Sequence, residues 1–210
     1  LAKRVCICSY APRLESSADI ILLFHREELF KPTNTGRLLM DALPRNTFGF
    51  CWSRTEPEEA LLKLINDPAR LCLIVFPFDE TLPQYDGRRC YLDVPRDDRR
   101  VTFILLDGTW KQAGRMFHLS KWMGHLNSVV LSGNLEKQHQ VRKSHEDHYV
   151  STFEAGVACL EKMGASVETD LLRDYFNVFN EHYLALRGCR EPLETVSHHK
   201  LRALSDASCG

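Results

Sequence analysis

The stretch 101–116, "VTFILLDGTWKQAGRM", decides how the rest of this chain is read. It opens as an apolar strand, Phe103-Ile104-Leu105-Leu106. Within three residues it then presents a carboxylate (Asp107), a glycine (Gly108), a hydroxyl (Thr109) and an indole (Trp110). A plain strand-to-helix turn explains this pattern if Asp107 or Thr109 caps the helix that follows. A ligand site at the carboxyl end of a parallel strand explains it equally, because open α/β sheets bind ligands there.

Outward from that point, apolar runs alternate with helical patterns. Strands are predicted over 19–24, 48–52, 71–76, 101–106 and 128–131. Helices are predicted over 34–43, from Thr55 to Asn66, from Trp110 to His118, from Thr152 to Met163 and from Thr169 to Leu186. Thr55 and Glu58 have the spacing of a capping box, and Asp67-Pro68 stops that helix. Residues 79–100 read as a polar, Arg-rich loop. Strand–helix alternation of this kind predicts an α/β fold, a mainly parallel sheet flanked by helices. Residues 1–15 and 189–210 stand apart from the 16–188 domain, the latter as a polar tail or short helix.

At 210 residues and 44% hydrophobic content the chain can bury one real core. No apolar run approaches a membrane span, and the first residues lack a signal-peptide core, so an intracellular, cytoplasmic protein is expected. Leu1 is not a natural start, which implies a longer chain. The eight cysteines are scattered, and only Cys6 and Cys8 are close. They provide half the ligands of a tetrahedral zinc site. His145-Glu146-Asp147-His148 lacks an evident third ligand and reads better as a solvated loop.

The formal net charge is −1 but unevenly spread. Residues 86–145 carry 11 Lys/Arg against 6 Asp/Glu, whereas 146–210 carry 6 against 11. A central basic surface for a polyanion is the sharper reading, and a solvated face the plainer one. No dinucleotide fingerprint, phosphate-binding glycine loop or nucleophile elbow is present.

Two further motifs flank strand ends. "HREELFKPTNTGRL", 25–38, leads from a strand into a helix that Thr33 or Asn34 can cap, with Arg37 in its first turn. In "YVSTFEAGVACLE", 149–161, Ser151 and Glu154 have capping-box spacing, with Thr152 between them.

Together these pieces resemble the DTW-domain proteins over about residues 3–187. The resemblance rests on "LDGTW" at 106–110 with Gln112 and Ala113, and on "NTGRL" at 34–38 with His25 and Glu28 upstream. It rests also on Phe76-Pro77 after the third strand, and on "VR" at 141–142 before "STFEA" at 151–155. That family usually has Tyr where His139 stands and Pro near His145.

The resemblance implies transfer of the 3-amino-3-carboxypropyl group of S-adenosylmethionine to N3 of a uridine in tRNA, with release of 5′-methylthioadenosine. It implies a SPOUT-like fold with a C-terminal knot, and a zinc knuckle of which Cys6 and Cys8 are one pair. Asp107 is then the expected general base. Phe76, Pro77, Gly108, Thr109, Trp110, Ser151, Thr152 and Glu154 are expected at the cofactor. His25, Asn34, Thr35, Arg37, Lys111, Arg115 and Arg142 are expected at the RNA. Rival readings are a methyltransferase of the same fold, a ribosomal-RNA aminocarboxypropyltransferase and an RNA-binding module without chemistry.

Overall fold

A computed structural model of the chain describes residues 1–131 and 150–207. Six strands form one sheet: β1 (Asp19–Phe24), β2 (Thr47–Cys51), β3 (Arg70–Val75), β4 (Cys90–Tyr91), β5 (Arg100–Asp107) and β6 (Asn127–Val129). Their spatial order is β2-β1-β5-β3-β6-β4, and each neighbouring pair is parallel. The helices are α1 (Gly36–Ala42), α2 (Glu59–Ile65), α3 (Trp110–Leu119), α4 (Thr152–Lys162), α5 (Ser166–Arg187) and α6 (Val196–Ala207).

The central strands are apolar throughout because both faces are covered. Ile20, Leu22 and Phe24 of β1 face the layer of α1, α4, α5 and α6, while Ile21 and Leu23 face α2 and α3. Alternate residues of β5 divide the same way, Phe103 and Leu105 against Ile104 and Leu106. The predicted α/β class with a parallel sheet is therefore what forms.

Connectivity fixes where a cleft can open. From β1 the chain passes through α1 to β2 on one side, and from β5 through α3 to β6 on the other. Adjacent strands whose connections leave in opposite directions and over opposite faces define a topological switch point. Here it lies between the carboxyl ends of β1 and β5, where Phe24 is in register with Asp107.

The sequence reading needs correction in three places. Thr55 and Glu58 form no capping box. Helix α2 starts at Glu59, Glu58 is its N-cap without a side-chain cap bond, and the Glu58 carboxylate accepts from the Cys51 N–H at 3.2 Å. Pro57 explains the shift, since the residue before a proline avoids helical geometry. Helix α1 begins at Gly36, later than expected, with Thr35 at the N-cap. The 79–100 loop contains the edge strand β4, too short to show as a hydrophobic run. Of the two alternatives for 189–210, tail or short helix, 196–207 forms the helix α6, with Ser197, His198 and Leu201 buried and Leu201 in the core shared with α5.

The two termini are tied together by a chain of hydrogen bonds. The Thr195 N–H donates to His198 Nδ1 at 3.1 Å, so that nitrogen is an acceptor. His182 Nδ1 faces the Val5 carbonyl at 3.2 Å and must be the donor. The 3.1 Å contact between the two Nε2 atoms then runs from His198 to His182. Tyr10 stands edge-on to both rings.

At the amino end of the sheet, buried Asp19 accepts from Arg70 at 2.5 Å, Arg100 at 2.7 Å and Asn46 at 2.9 Å. Arg70 and Arg100 begin β3 and β5, so one carboxylate ties the starts of three strands.

Candidate active site

Asp107 is the last residue of β5 and is 5% exposed. Its Oδ2 accepts from Asn34 Nδ2 at 2.5 Å and its Oδ1 from Thr152 Oγ1 at 2.5 Å. Three segments distant in sequence thus meet on one carboxylate: the strand end, the segment entering α1 and the first turn of α4. Asn34 Nδ2 also donates to the Glu28 carbonyl at 3.2 Å, and Asn34 Oδ1 accepts from the Arg37 N–H at 3.4 Å. Asn34 therefore serves the start of α1 with its oxygen and Asp107 with its nitrogen. Thr35 accepts from the Phe153 N–H at 3.4 Å, which joins the starts of α1 and α4.

Helix α4 can reach Asp107 because of Gly156. A Cβ there would stand 2.5 Å from Leu39 Cδ1 and 3.4 Å from Leu105 Cδ1. Thr152 is four residues earlier, on the same face of the helix. Ser151 and Glu154 complete the predicted capping box, Glu154 Oε2 accepting from the Ser151 N–H at 2.8 Å and Ser151 Oγ from the Glu154 N–H at 3.3 Å. Their observed work is to start α4, which carries Thr152.

Gly108 and Thr109 turn the chain from β5 into α3. Thr109 is the N-cap in a second capping box with Gln112, so the plain reading of the opening stretch holds alongside the sharper one. A Cβ on Gly108 would lie 3.0 Å from Gln112 Cβ and 3.5 Å from His25 Cβ, so the turn is packed on both sides. Gln112 Nε2 in turn donates to Glu27 at 2.6 Å.

Trp110 remains 52% exposed at the first position of α3, with one ring face stacked on Phe76 at 5.2 Å. Phe76 is buried between Trp110 and Phe117, and Pro77 is exposed. On the other side of Gly108, His25 stacks on Trp52 at 5.8 Å. Trp52 was missed by sequence reasoning. Its signal was a large aromatic just past a parallel strand, the same signal that singled out Trp110.

The expected RNA-facing cations divide. Arg37, Lys111 and Arg115 are exposed, and Arg37 Nη2 donates to the Leu29 carbonyl. Arg142, with Lys137, Lys143 and the 145–148 cluster, lies outside the described residues. Among the described residues the central cations divide between the two ends of the sheet. Arg99 is engaged by Asp97 and Arg100 by Asp19, at the amino end of β5, while Arg88 lies against Phe117, Phe78 and Tyr85. An eight-residue strand separates the two ends of β5 by roughly 23–26 Å.

Cys6 and Cys8 are exposed on consecutive turns. Hydrogen bonds from the Cys8 N–H and thiol hold the Cys6 thiol below its ordinary value, and the same contact raises Cys8. Among the described residues no three His, Cys, Asp or Glu side chains are grouped to hold a metal ion, so the pair is two donors where zinc takes four. No helix among them is long and apolar enough to cross a membrane.

A parallel sheet flanked by helices, with a polar cluster and a half-exposed indole at its switch point, defines an α/β protein with a candidate site built by strand ends and helix starts. A family model described as DTW domain matches residues 1–184, and the chain belongs to that family. It is 27% identical over 167 residues to "tRNA-uridine aminocarboxypropyltransferase 2" of Macaca fascicularis, covering 75% of this chain and 52% of the relative. To the protein of the same name in Mus musculus it is 29% identical over 181 residues, covering 81% and 57%. The chain thus spans little more than half the length of these curated relatives. No solved structure matches it.

Proposed function

We propose that the chain transfers the 3-amino-3-carboxypropyl group of S-adenosylmethionine to N3 of a uridine in tRNA, with Asp107 as general base. The observation carrying this reading is the convergence of Asn34 and Thr152 on Asp107 close to the half-exposed Trp110, in a chain two of whose relatives are named tRNA-uridine aminocarboxypropyltransferase 2.

The chemistry suits these groups. The N3 proton of uridine is held roughly two to three pKa units above neutrality, so ionisation costs about 3–4 kcal/mol. A carboxylate held in place by an amide and a hydroxyl is oriented to take that proton as general base. The N3 lone pair then forms the new bond to the Cγ of the methionine moiety. The Cγ–sulfur bond breaks with its electrons going to sulfur, and neutral 5′-methylthioadenosine leaves without needing an acid. Which carbon reacts is a matter of orientation.

The residues present fit the donor. Trp110 stands half-exposed just past the strand end, stacked on Phe76 with Pro77 next in sequence, and Gly108 and Thr109 keep the neighbouring backbone compact. Ser151 and Glu154 act through the start of α4. Exposed Lys111, Arg115 and Arg37, with His25, Thr35 and Arg142, form the RNA side. A SPOUT-like C-terminal knot belongs to this reading as well.

Nucleoside mass spectrometry of unmodified tRNA incubated with the chain and S-adenosylmethionine tests it. A uridine heavier by one aminocarboxypropyl group, with methylthioadenosine released, is expected. A methyl increment would instead assign a methyltransferase, and bound but unaltered tRNA a module without chemistry.

A further inference from the structure

Residues 25–34 leave Asp107 and return to it. The His25 N–H donates to the Asp107 carbonyl at 2.8 Å, and Asn34 Nδ2 donates to the Asp107 carboxylate. Between these feet the backbone closes three successive turns: Glu28 N–H to His25 carbonyl at 2.8 Å, Lys31 to Glu28 at 3.1 Å, and Asn34 to Lys31 at 3.0 Å. Side chains brace it further. Lys31 Nζ donates to Glu28 Oε1 at 2.6 Å, and Arg37 reaches the Leu29 carbonyl. Leu29 is tucked against the core, yet Phe30 beside it is 80% exposed.

A heavily braced loop that turns a phenylalanine out into water is doing something other than packing. Phe30 is four residues from Asn34, so even a fully extended chain would keep it within about 14 Å of that foot. Exposed Arg26 and Arg37, and half-buried Lys31 paired with Glu28, flank it in sequence. An aromatic ring among cations is the pairing that holds unstacked nucleobases. N3 of uridine lies on the Watson–Crick edge, so a target base must be taken out of pairing before it reaches Asp107. An apolar wedge is a common device for that.

We propose that Phe30 is the wedge of this site, stacking on the nucleobase next to the target uridine and holding the uridine out toward Asp107. This rests on the proposed reaction with RNA.

The test uses a hairpin RNA with an unpaired uridine and 2-aminopurine beside it. It is titrated with wild type, Phe30→Ala and Phe30→Trp, following anisotropy and 2-aminopurine fluorescence at several salt concentrations. Phe30→Ala is expected to melt like wild type, to bind about tenfold more weakly with an unchanged salt slope, and to lose the fluorescence change; Phe30→Trp restores both. Equal affinity and fluorescence for Phe30→Ala and wild type would overturn the wedge. Wild type that unstacks the RNA through Phe30 yet forms no N3 adduct overturns the reaction and leaves the wedge standing. Wild type that does not bind RNA overturns both.

Discussion

Two buried aspartates sit at opposite ends of the same pair of strands and are held in opposite ways. Asp19 begins β1 and is gripped by two guanidinium groups and an amide. Asp107 ends β5 and receives an amide and a hydroxyl from segments far away in sequence. Hydrogen bonds from Arg100, Asn46 and Arg70 outweigh the burial that by itself would raise Asp19, and its carboxyl sits below the usual range. The first arrangement suits a clamp, since charge against charge at the sheet's base resists separation. The second suits a group that must be oriented and still exchange a proton.

The comparison breaks most visibly at Asp107. Asp107→Asn should lower transfer by about 10²–10⁴-fold. The amide can flip so that its oxygen accepts from Asn34 and its nitrogen donates to Thr152, so thermal unfolding should move little, with a cost of about 1 kcal/mol. A large drop in melting temperature would make Asp107 a second clamp.

Asp19→Ala should do the reverse. Two arginines lose their anion, and denaturant unfolding should register a loss of about 2–4 kcal/mol, discounted for the partial exposure of Arg100. Activity per folded molecule should be near wild type. Because the folded Asp19 carboxyl is lowered, its contribution is present above the ordinary carboxylate value and is lost as pH falls through the lower folded one. Asp19→Asn should therefore flatten the acid limb of stability against pH.

Gly156→Ala probes the link between packing and site. The added methyl meets Leu39, and overpacking of this kind costs about 1–3 kcal/mol. It also lifts α4, so transfer should fall more than stability predicts, whereas the pair Gly156→Ala with Leu39→Ala should recover part of both.

The smallest effect concerns His198, whose value burial pushes below that of an ordinary histidine. Glu194 and Glu181 favour its charged form, while His182 and Arg202 oppose it. Its neutral form stabilises the fold above the ordinary histidine value, and that stability is lost as pH falls toward the lower folded one. His198→Gln should remove this step from a stability titration run from neutral pH down through the ordinary histidine range and below it.

Sequence periodicity carried the central strands and α3 to α5, because a strand covered on both faces reads as an unbroken apolar run and buried helices keep their spacing. It could not carry β4, whose two residues have no period, or decide between tail and helix for α6, whose buried face mixes Ser197 and His198 with Leu201 and depends on His182 and Val5 across the chain. At the site, Asp107, Trp110 and the two flanking motifs were legible as types in order. That Thr152 and Asn34 would meet on one carboxylate depends on the closeness of Gly156 to Leu39, a distance that composition does not encode. Charge counts could not show whether the central cations share one surface, for the same reason: Arg99 and Arg100 are next to the motif in sequence but a strand length from it in space.

The histidine chain from Thr195 to Val5 has a thermodynamic corollary. Every bond in it points the same way, so the C-terminal helix and the N-terminal turns act as ligands for one another. Linkage makes such an arrangement reciprocal: whatever steadies the turns bearing Cys6 and Cys8 must, by the same free energy, steady α6. Truncating α6 should accordingly loosen the cysteine pair at the other end of the chain, and capturing those thiols should raise the protection of α6 against hydrogen exchange.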